Sequence, residues 1–226
     1  MKFEPPPWTE IDTVMFDMDG TLLDLRFDNY FFLELIPETY AKINSISEEE
    51  SHLIVKKLYQ EVQGTLKWYS IDYWTEKLKI DIPSLKRSVA SKISIRPNAK
   101  LFLSNLQKLE KQLLLVTNAH PETLRIKAEH TGIFNCFEQL ISSHTIGLAK
   151  ENPGFWKRLR TVEPYDRNRT ILIDDSLPVL RQAKTENLKY LWGIKTPDSQ
   201  REHQISCEFP LIDDFKQCLP NLNTGF

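Results

Sequence analysis

Two aspartates, Asp17 and Asp19, follow the apolar run Thr13 to Phe16 and flank Met18, with Gly20 closing the group, in the stretch DTVMFDMDGTLLD. A carboxylate at the end of a buried hydrophobic segment is costly unless hydrogen-bond donors, a cation or a chemical task offset its desolvation. Taken alone, such a pair is met by a helix N-cap plus a turn residue. More of the same kind follows. Thr117 and Asn118 close the apolar run LLLVTN, and Asp174 and Asp175 fall at the end of TILIDDS. If these runs are neighbouring strands, the six polar residues gather at one edge. Four carboxylates brought together repel one another, so they predict a hard cation with oxygen ligands, most simply Mg²⁺. Lys150, in SSHTIGLAKEN, is either a solvated surface charge or a cation placed by its loop to face that cluster.

The elements that must position these residues are short. TVMF (13–16), LLLVTN (113–118), QLIS (139–142) and TILIDDS (170–176) have the pattern of strands buried on both faces of a parallel sheet, and KYLWGI (189–194) is a fifth. Helical patterns lie between them. Residues 98–111 place Leu101, Phe102, Leu106 and Leu109 on one face, a helix opens at Pro121 and stops before Gly132, and Pro178 opens PVLRQAKTEN. Alternation at this spacing predicts an α/β fold, a Rossmann-like doubly wound parallel sheet whose ligand sits at the carboxyl ends of the strands.

Residues 24–95 break the alternation and read as helical throughout. FDNYFFLELI is aromatic-rich. Ser47 and Glu50 have capping-box spacing, ahead of a helix carrying Leu53, Ile54, Leu58 and Val62, and SIDYWTEKLKI and PSLKRSVASKI are two shorter helices. The expectation is a core domain made of residues 1–23 and 96–226, with 24–95 as a helical cap over the carboxyl edge of the sheet.

Composition narrows the function classes. The 226 residues, 41% hydrophobic, fit a globular protein, and 29 basic against 31 acidic residues give no basic field for nucleic acid or anionic membrane. The start MKFEPPPWTE has no apolar signal region, and no run of about 18 apolar residues occurs, so a cytoplasmic location is expected. Cys136, Cys207 and Cys218 lack C-x-x-C spacing and read as reduced thiols. There is no H-E-x-x-H, no G-x-x-x-x-G-K-[ST] and no G-x-G-x-x-G, which argues against a zinc hydrolase, obligatory ATP and a dinucleotide cofactor.

With DMDGTLLD, Thr117, Lys150 and IDDS in that order, the chain resembles the haloacid dehalogenase (HAD) superfamily over its whole length, and the helical insert is similar to that superfamily's C1 cap. DMDGTLLDLRFDNYF, TNAHPETL, EHTG, SHTIGLAKE and LIDDS resemble more narrowly its bacterial GMP/IMP nucleotidase branch. The resemblance implies that Asp17 is the nucleophile, forming an aspartyl phosphate, and that Asp19 is the general acid and then the base. For its acid step Asp19 needs a pKa raised by its neighbours. It also implies that Asp19 binds Mg²⁺ through its main-chain carbonyl, beside Asp17 and Asp175, with Asp174 supporting. Thr117 and the amide of Asn118 would hold phosphoryl oxygens, Lys150 would balance charge, and Met18 would offer an amide while its side chain turns to the core. Two departures stand out: no acidic residue occurs in Ser176 to Val179, and Glu151 follows the lysine where proline is commoner.

Asp19 favours phosphate over halide, since dehalogenase members lack that acid. The expected substrate is a phosphate ester, a purine nucleoside monophosphate above all, and a monomer is favoured. A phosphatase or mutase for a small sugar or acid phosphate, or a non-catalytic scaffold binding a phosphorylated ligand, are the alternatives. Candidate specificity residues are Phe27, Asn29, Tyr30, Trp68, Tyr69, Tyr73, Trp74 and His120, of which Asn29 and His120 are the strongest because a polar side chain there needs a partner. Phe31, Phe32 and Trp74 read as core packing.

Overall fold

The computed structural model describes residues 4–206 and 208–220, so Cys207 lies outside the described residues. Strands β1 (Thr13–Phe16), β2 (Gln112–Thr117), β3 (Gln139–Ser142), β4 (Thr170–Ile173), β5 (Tyr190–Ile194) and β6 (Leu211–Ile212) form one parallel sheet in the order β3-β2-β1-β4-β5-β6. The chain starts in the middle, builds outward through β2 and β3, and returns to add β4, β5 and β6 on the other side. Strand order reverses at β1, the place where ligands bind in open α/β sheets.

Period-two alternation divides the core. Val14, Phe16, Leu113, Leu115, Ile171 and Ile173 pack into an apolar cluster on one face, while Met15, Leu114, Val116 and Leu172 pack into another on the opposite face. Both faces are covered, which is why β1 reads as an unbroken apolar run. β3 departs from the expectation of burial on both faces: it is an edge strand, and its Gln139 and Leu140 are exposed. β6 falls in the segment after Pro197, whose sequence carries no clear strand pattern.

The helices are α1 (Arg26–Tyr30), α2 (Ile36–Asn44), α3 (Glu48–Val62), α4 (Ile71–Leu78), α5 (Ile82–Ser88), α6 (Ala99–Lys108), α7 (Pro121–Thr131), α8 (Ser143–Ile146), α9 (Phe155–Val162) and α10 (Leu177–Thr185). A π-turn, Phe31–Leu35, joins α1 to α2. Ser47 caps α3 by accepting from the Glu50 amide at 3.1 Å. The buried stripe of α3 is Ser51, Val55, Tyr59 and Val62, so Leu53, expected inward, faces solvent. Leu101 of α6 is likewise exposed, and Leu103 takes the buried place beside Phe102 and Leu106. In both helices the apolar residues outnumber the positions that meet a neighbour, and the neighbour decides the face.

Helices α1 to α5 enclose their own core of Phe31, Ile36, Val55, Tyr59, Trp74, Leu78 and Ile82. Phe31 and Trp74 are fully buried there, as packing residues. The chain enters and leaves this block through paired segments: Asp24 N–H donates to Ser94 O, Arg96 N–H donates to Leu22 O, and Leu23 bridges Ile95. No helix among the described residues is long and apolar enough to cross a membrane. Cys136 and Cys218 are free thiols.

Candidate active site at the carboxyl edge of the sheet

Parallel register brings the acidic residues together. Phe16 pairs with Leu115 on one side and Ile173 on the other. The next residues along, Asp17 and Asp174, therefore leave the sheet side by side, tied by the Asp17 N–H to Ile173 O bond at 2.9 Å. Carboxylate oxygens of Asp17, Asp174 and Asp175 lie within 4.8 Å of one another. Gly20 turns the chain with φ +84°, and a Cβ there would stand 2.5 Å from Asp175 Oδ2, so only glycine lets the first loop pass this carboxylate.

Lys150 answers the negative charge. Its Nζ donates to Asp17 Oδ1 at 2.5 Å, to Asp174 Oδ2 at 2.6 Å and to Val116 O at 2.9 Å, which uses all three of its protons. Burial disfavours its charge, but Asp17 and Asp174 outweigh that and hold its pKa above the ordinary lysine value. Asp174 is fully engaged, since Oδ1 also accepts from the Ser176 amide at 2.9 Å. The Asp175 carboxylate, in contrast, has no hydrogen bond among the described residues. Burial first, then Asp17 and Asp174, push it well above the usual carboxylate range.

Asp17 is raised to about 6, chiefly by burial and further by Asp174, against the pull of Lys150. Asp19 is also raised to about 6, by burial and then Asp28, against the pull of Lys127. The neighbours Asp28 and Asp17 do raise it, as expected, but burial is the largest single cause. Its carboxylate stands apart from the three-aspartate cluster and pairs with Lys127 at 2.5 Å. The cluster offers only hard oxygen donors, which suits a divalent cation such as Mg²⁺ and not a soft metal.

A cleft of about 260 Å³ opens over this edge. Asp17, Asp19, Thr117, Asn118, Lys150, Asp174 and Asp175 line its floor, and Asn29, Phe32, Leu33, Trp68, Tyr69 and Ile71 from the helical block line its walls. Met18 is buried in the core, as expected of its side chain. Asn118 Oδ1 accepts from the Lys150 amide, and its Nδ2 donates to Glu151 Oε2 at 2.8 Å. Glu151 in turn accepts from the Tyr69 hydroxyl at 2.9 Å, so the residue standing where proline is commoner ties the helical block to the strand end.

Several candidates are placed differently from expectation. His120 does not line the cleft: its Nδ1 accepts from the Glu122 amide as the N-cap of α7, and its Nε2 lies 3.3 Å from Asp72. The partner its polarity called for is a helix end. Asn29 does line the cleft, but its Nδ2 donates to Asp198 at 2.6 Å. Phe32, read as core, is half-buried and forms part of the wall. Phe27 and Trp74 are core, Tyr73 packs on Trp74, and Tyr30 lies under Lys92 on another surface.

Sequence reasoning missed Lys127, Asp28 and Lys86. Lys127 on α7 and Lys86 on α5 are each about 1% exposed, and Asp28 on α1 joins them, at 2.6 Å to Lys127 and 2.9 Å to Lys86. Burial opposes the ionised form of Asp28, yet the two lysines hold it at about 2. A signal existed: each lysine sits where the helical period calls for an apolar residue, four after the buried Thr123 and Ile82 respectively.

Residues 11–184 match the family model of haloacid dehalogenase-like hydrolases. The chain belongs to this family of enzymes. It is 38% identical over 215 residues to the GMP/IMP nucleotidase YrfG of Escherichia coli strain K12, covering 95% of this chain and 97% of that protein. It is 23% identical over 177 residues to the pyrimidine 5'-nucleotidase YjjG of the same organism, covering 73% of this chain and 77% of that one. Among solved structures, the fold of a HAD phosphatase from Thermococcus onnurineus superposes with a TM-score of 0.75 at 19% identity, over 92% of this chain and 95% of that one.

Proposed function

We propose that this HAD-like hydrolase is a Mg²⁺-dependent phosphomonoesterase that acts through an aspartyl phosphate on purine nucleoside 5'-monophosphates, GMP and IMP first. The observation that carries the reaction is the gathering of Asp17, Asp174 and Asp175 within 4.8 Å, faced by a lysine. The likeness to YrfG supports the substrate.

Asp17 and Asp175 would hold the ion, together with the Asp19 main-chain carbonyl, while Asp174, its oxygens already taken, orients Lys150. A bound Mg²⁺ would supply neutralisation of phosphoryl charge. The free oxygen of Asp17 bonds to phosphorus, the ester P–O bond breaks, and its electron pair goes to the leaving oxygen, which takes a proton from Asp19. Asp19, now ionised, removes a proton from the water that cleaves the aspartyl phosphate. Thr117 and the Asn118 amide hold phosphoryl oxygens, and Lys150 stabilises charge that builds on them. Residues 24–95 act as the cap, with Phe32, Trp68 and Tyr69 forming an apolar wall on which a purine can stack.

Phosphate release from GMP, IMP, AMP, phosphoglycolate and p-nitrophenyl phosphate, with and without Mg²⁺, tests this. Faster Mg²⁺-dependent turnover of GMP and IMP is expected. Preference for phosphoglycolate would reject the substrate, and no release from any ester would reject the reaction.

A further inference from the structure

Lys127 lies outside the set of residues lining the cleft, whereas Asp19 and Asp28 line it. Its ammonium donates to Asp19 Oδ1 at 2.5 Å and to Asp28 Oδ2 at 2.6 Å, and Asp28 Oδ1 is held in turn by Lys86 at 2.9 Å. Asp19, Lys127, Asp28 and Lys86 thus alternate in charge along one buried chain, and Lys86 is packed against the rings of Phe27, Phe31 and Phe32 at 4.8 to 5.4 Å. Both oxygens of Asp28 are occupied. Only one oxygen of Asp19 is: among the described residues, Oδ2 has no hydrogen bond, and the side chain keeps 21% of its surface open to the cleft. Stability does not demand this arrangement, because apolar residues of similar volume often replace buried ion chains without loss. An ammonium held from behind by Asp28 does fix the rotation of the Asp19 carboxyl, leaving one defined oxygen for the substrate.

We propose that Lys127, braced by Asp28, is a positioning residue that holds Oδ1 of Asp19 so that Oδ2 meets the leaving-group oxygen. This rests on the acid role given to Asp19 above. Lys127 touches no reacting atom and takes no part in binding the phosphoryl group. Its effect is therefore confined to esters whose leaving oxygen needs a proton as the P–O bond breaks.

The test compares kcat/KM, which reports steps up to loss of the leaving group, for GMP and for p-nitrophenyl phosphate, whose phenolate leaves unprotonated. In Lys127→Met, GMP turnover should fall about 100-fold, the low end of what a placed general acid contributes, while p-nitrophenyl phosphate stays within about 3-fold of the parent. If that variant does not fold by circular dichroism, Lys127→Met with Asp28→Asn keeps the chain charge-balanced, as Asp19 against Lys86, and should give the same split. Equal losses on both esters, or no loss on either, would overturn the positioning role. An inactive parent would overturn the reaction itself, and this inference with it, before any variant is compared.

Discussion

Asp174 Oδ2 accepts a hydrogen bond from Lys150 Nζ at 2.6 Å, with both side chains about 2% exposed or less. The same ammonium reaches Asp17, so one cation holds together the ends of β1 and β4. Removing it leaves carboxylates buried and unpaired, which costs more than the pair itself contributes.

Lys150→Met should therefore lose about 3–5 kcal/mol of stability in metal-free buffer, read by urea unfolding, and at least about 100-fold in kcat. Wild-type stability in that variant would remove Lys150 from the cluster.

Mg²⁺ should raise the melting temperature of the parent protein, by binding the folded state alone. At a hundredfold excess over Kd the gain is about 2.7 kcal/mol. Asp175→Asn, which alters the carboxylate that has no hydrogen bond among the described residues, should lose most of that shift while melting no lower than the parent in EDTA.

Gly20→Ala tests the close passage beside Asp175. A left-handed φ and a Cβ 2.5 Å from Oδ2 force the loop or the carboxylate to move. The expected cost is about 1–3 kcal/mol, with weaker Mg²⁺ stabilisation than in the parent.

The pKa of Asp17, raised from 3.8 to about 6, carries a sign. Between those values the folded protein keeps a proton that the unfolded chain has released, so this group's contribution to stability falls as pH rises through that window. His144, pushed from 6.5 down to about 4 by burial and then by His120, works the other way, losing stability as pH falls below 6.5. Comparing the parent with Asp17→Asn cancels His144. In EDTA the variant should gain on the parent by on the order of 2 kcal/mol between pH 4.5 and pH 7, measured by urea unfolding. A difference that does not change with pH would contradict the raised pKa.

Much of the site was legible because it depends on strand ends. Four of the parallel strands are apolar runs that stop at or near a polar residue, and a parallel sheet has no choice but to bring those ends to one edge, so Asp17, Thr117 and Asp174 could be placed together from the order of residues alone. Helix-borne residues were less legible. Lys127 and Lys86 interrupt apolar faces, and their reason lies in Asp19 and Asp28, which only the tertiary packing brings near. His120 was misplaced for a different cause: its Nδ1 caps the first turn of α7 and its Nε2 faces Asp72, which occupies both ring nitrogens away from the cleft. β6 is two residues long, too short for any periodicity to mark.

In the proposed mechanism the carboxylate of Asp17 bonds to phosphorus. Acid-quenching the enzyme during turnover of GMP with Mg²⁺, followed by peptide mass spectrometry, tests it most directly. One phosphoryl group is expected on the peptide carrying Asp17, absent from Asp17→Asn. Steady hydrolysis with no phosphorylated peptide, or the label on a different aspartate, would contradict the account.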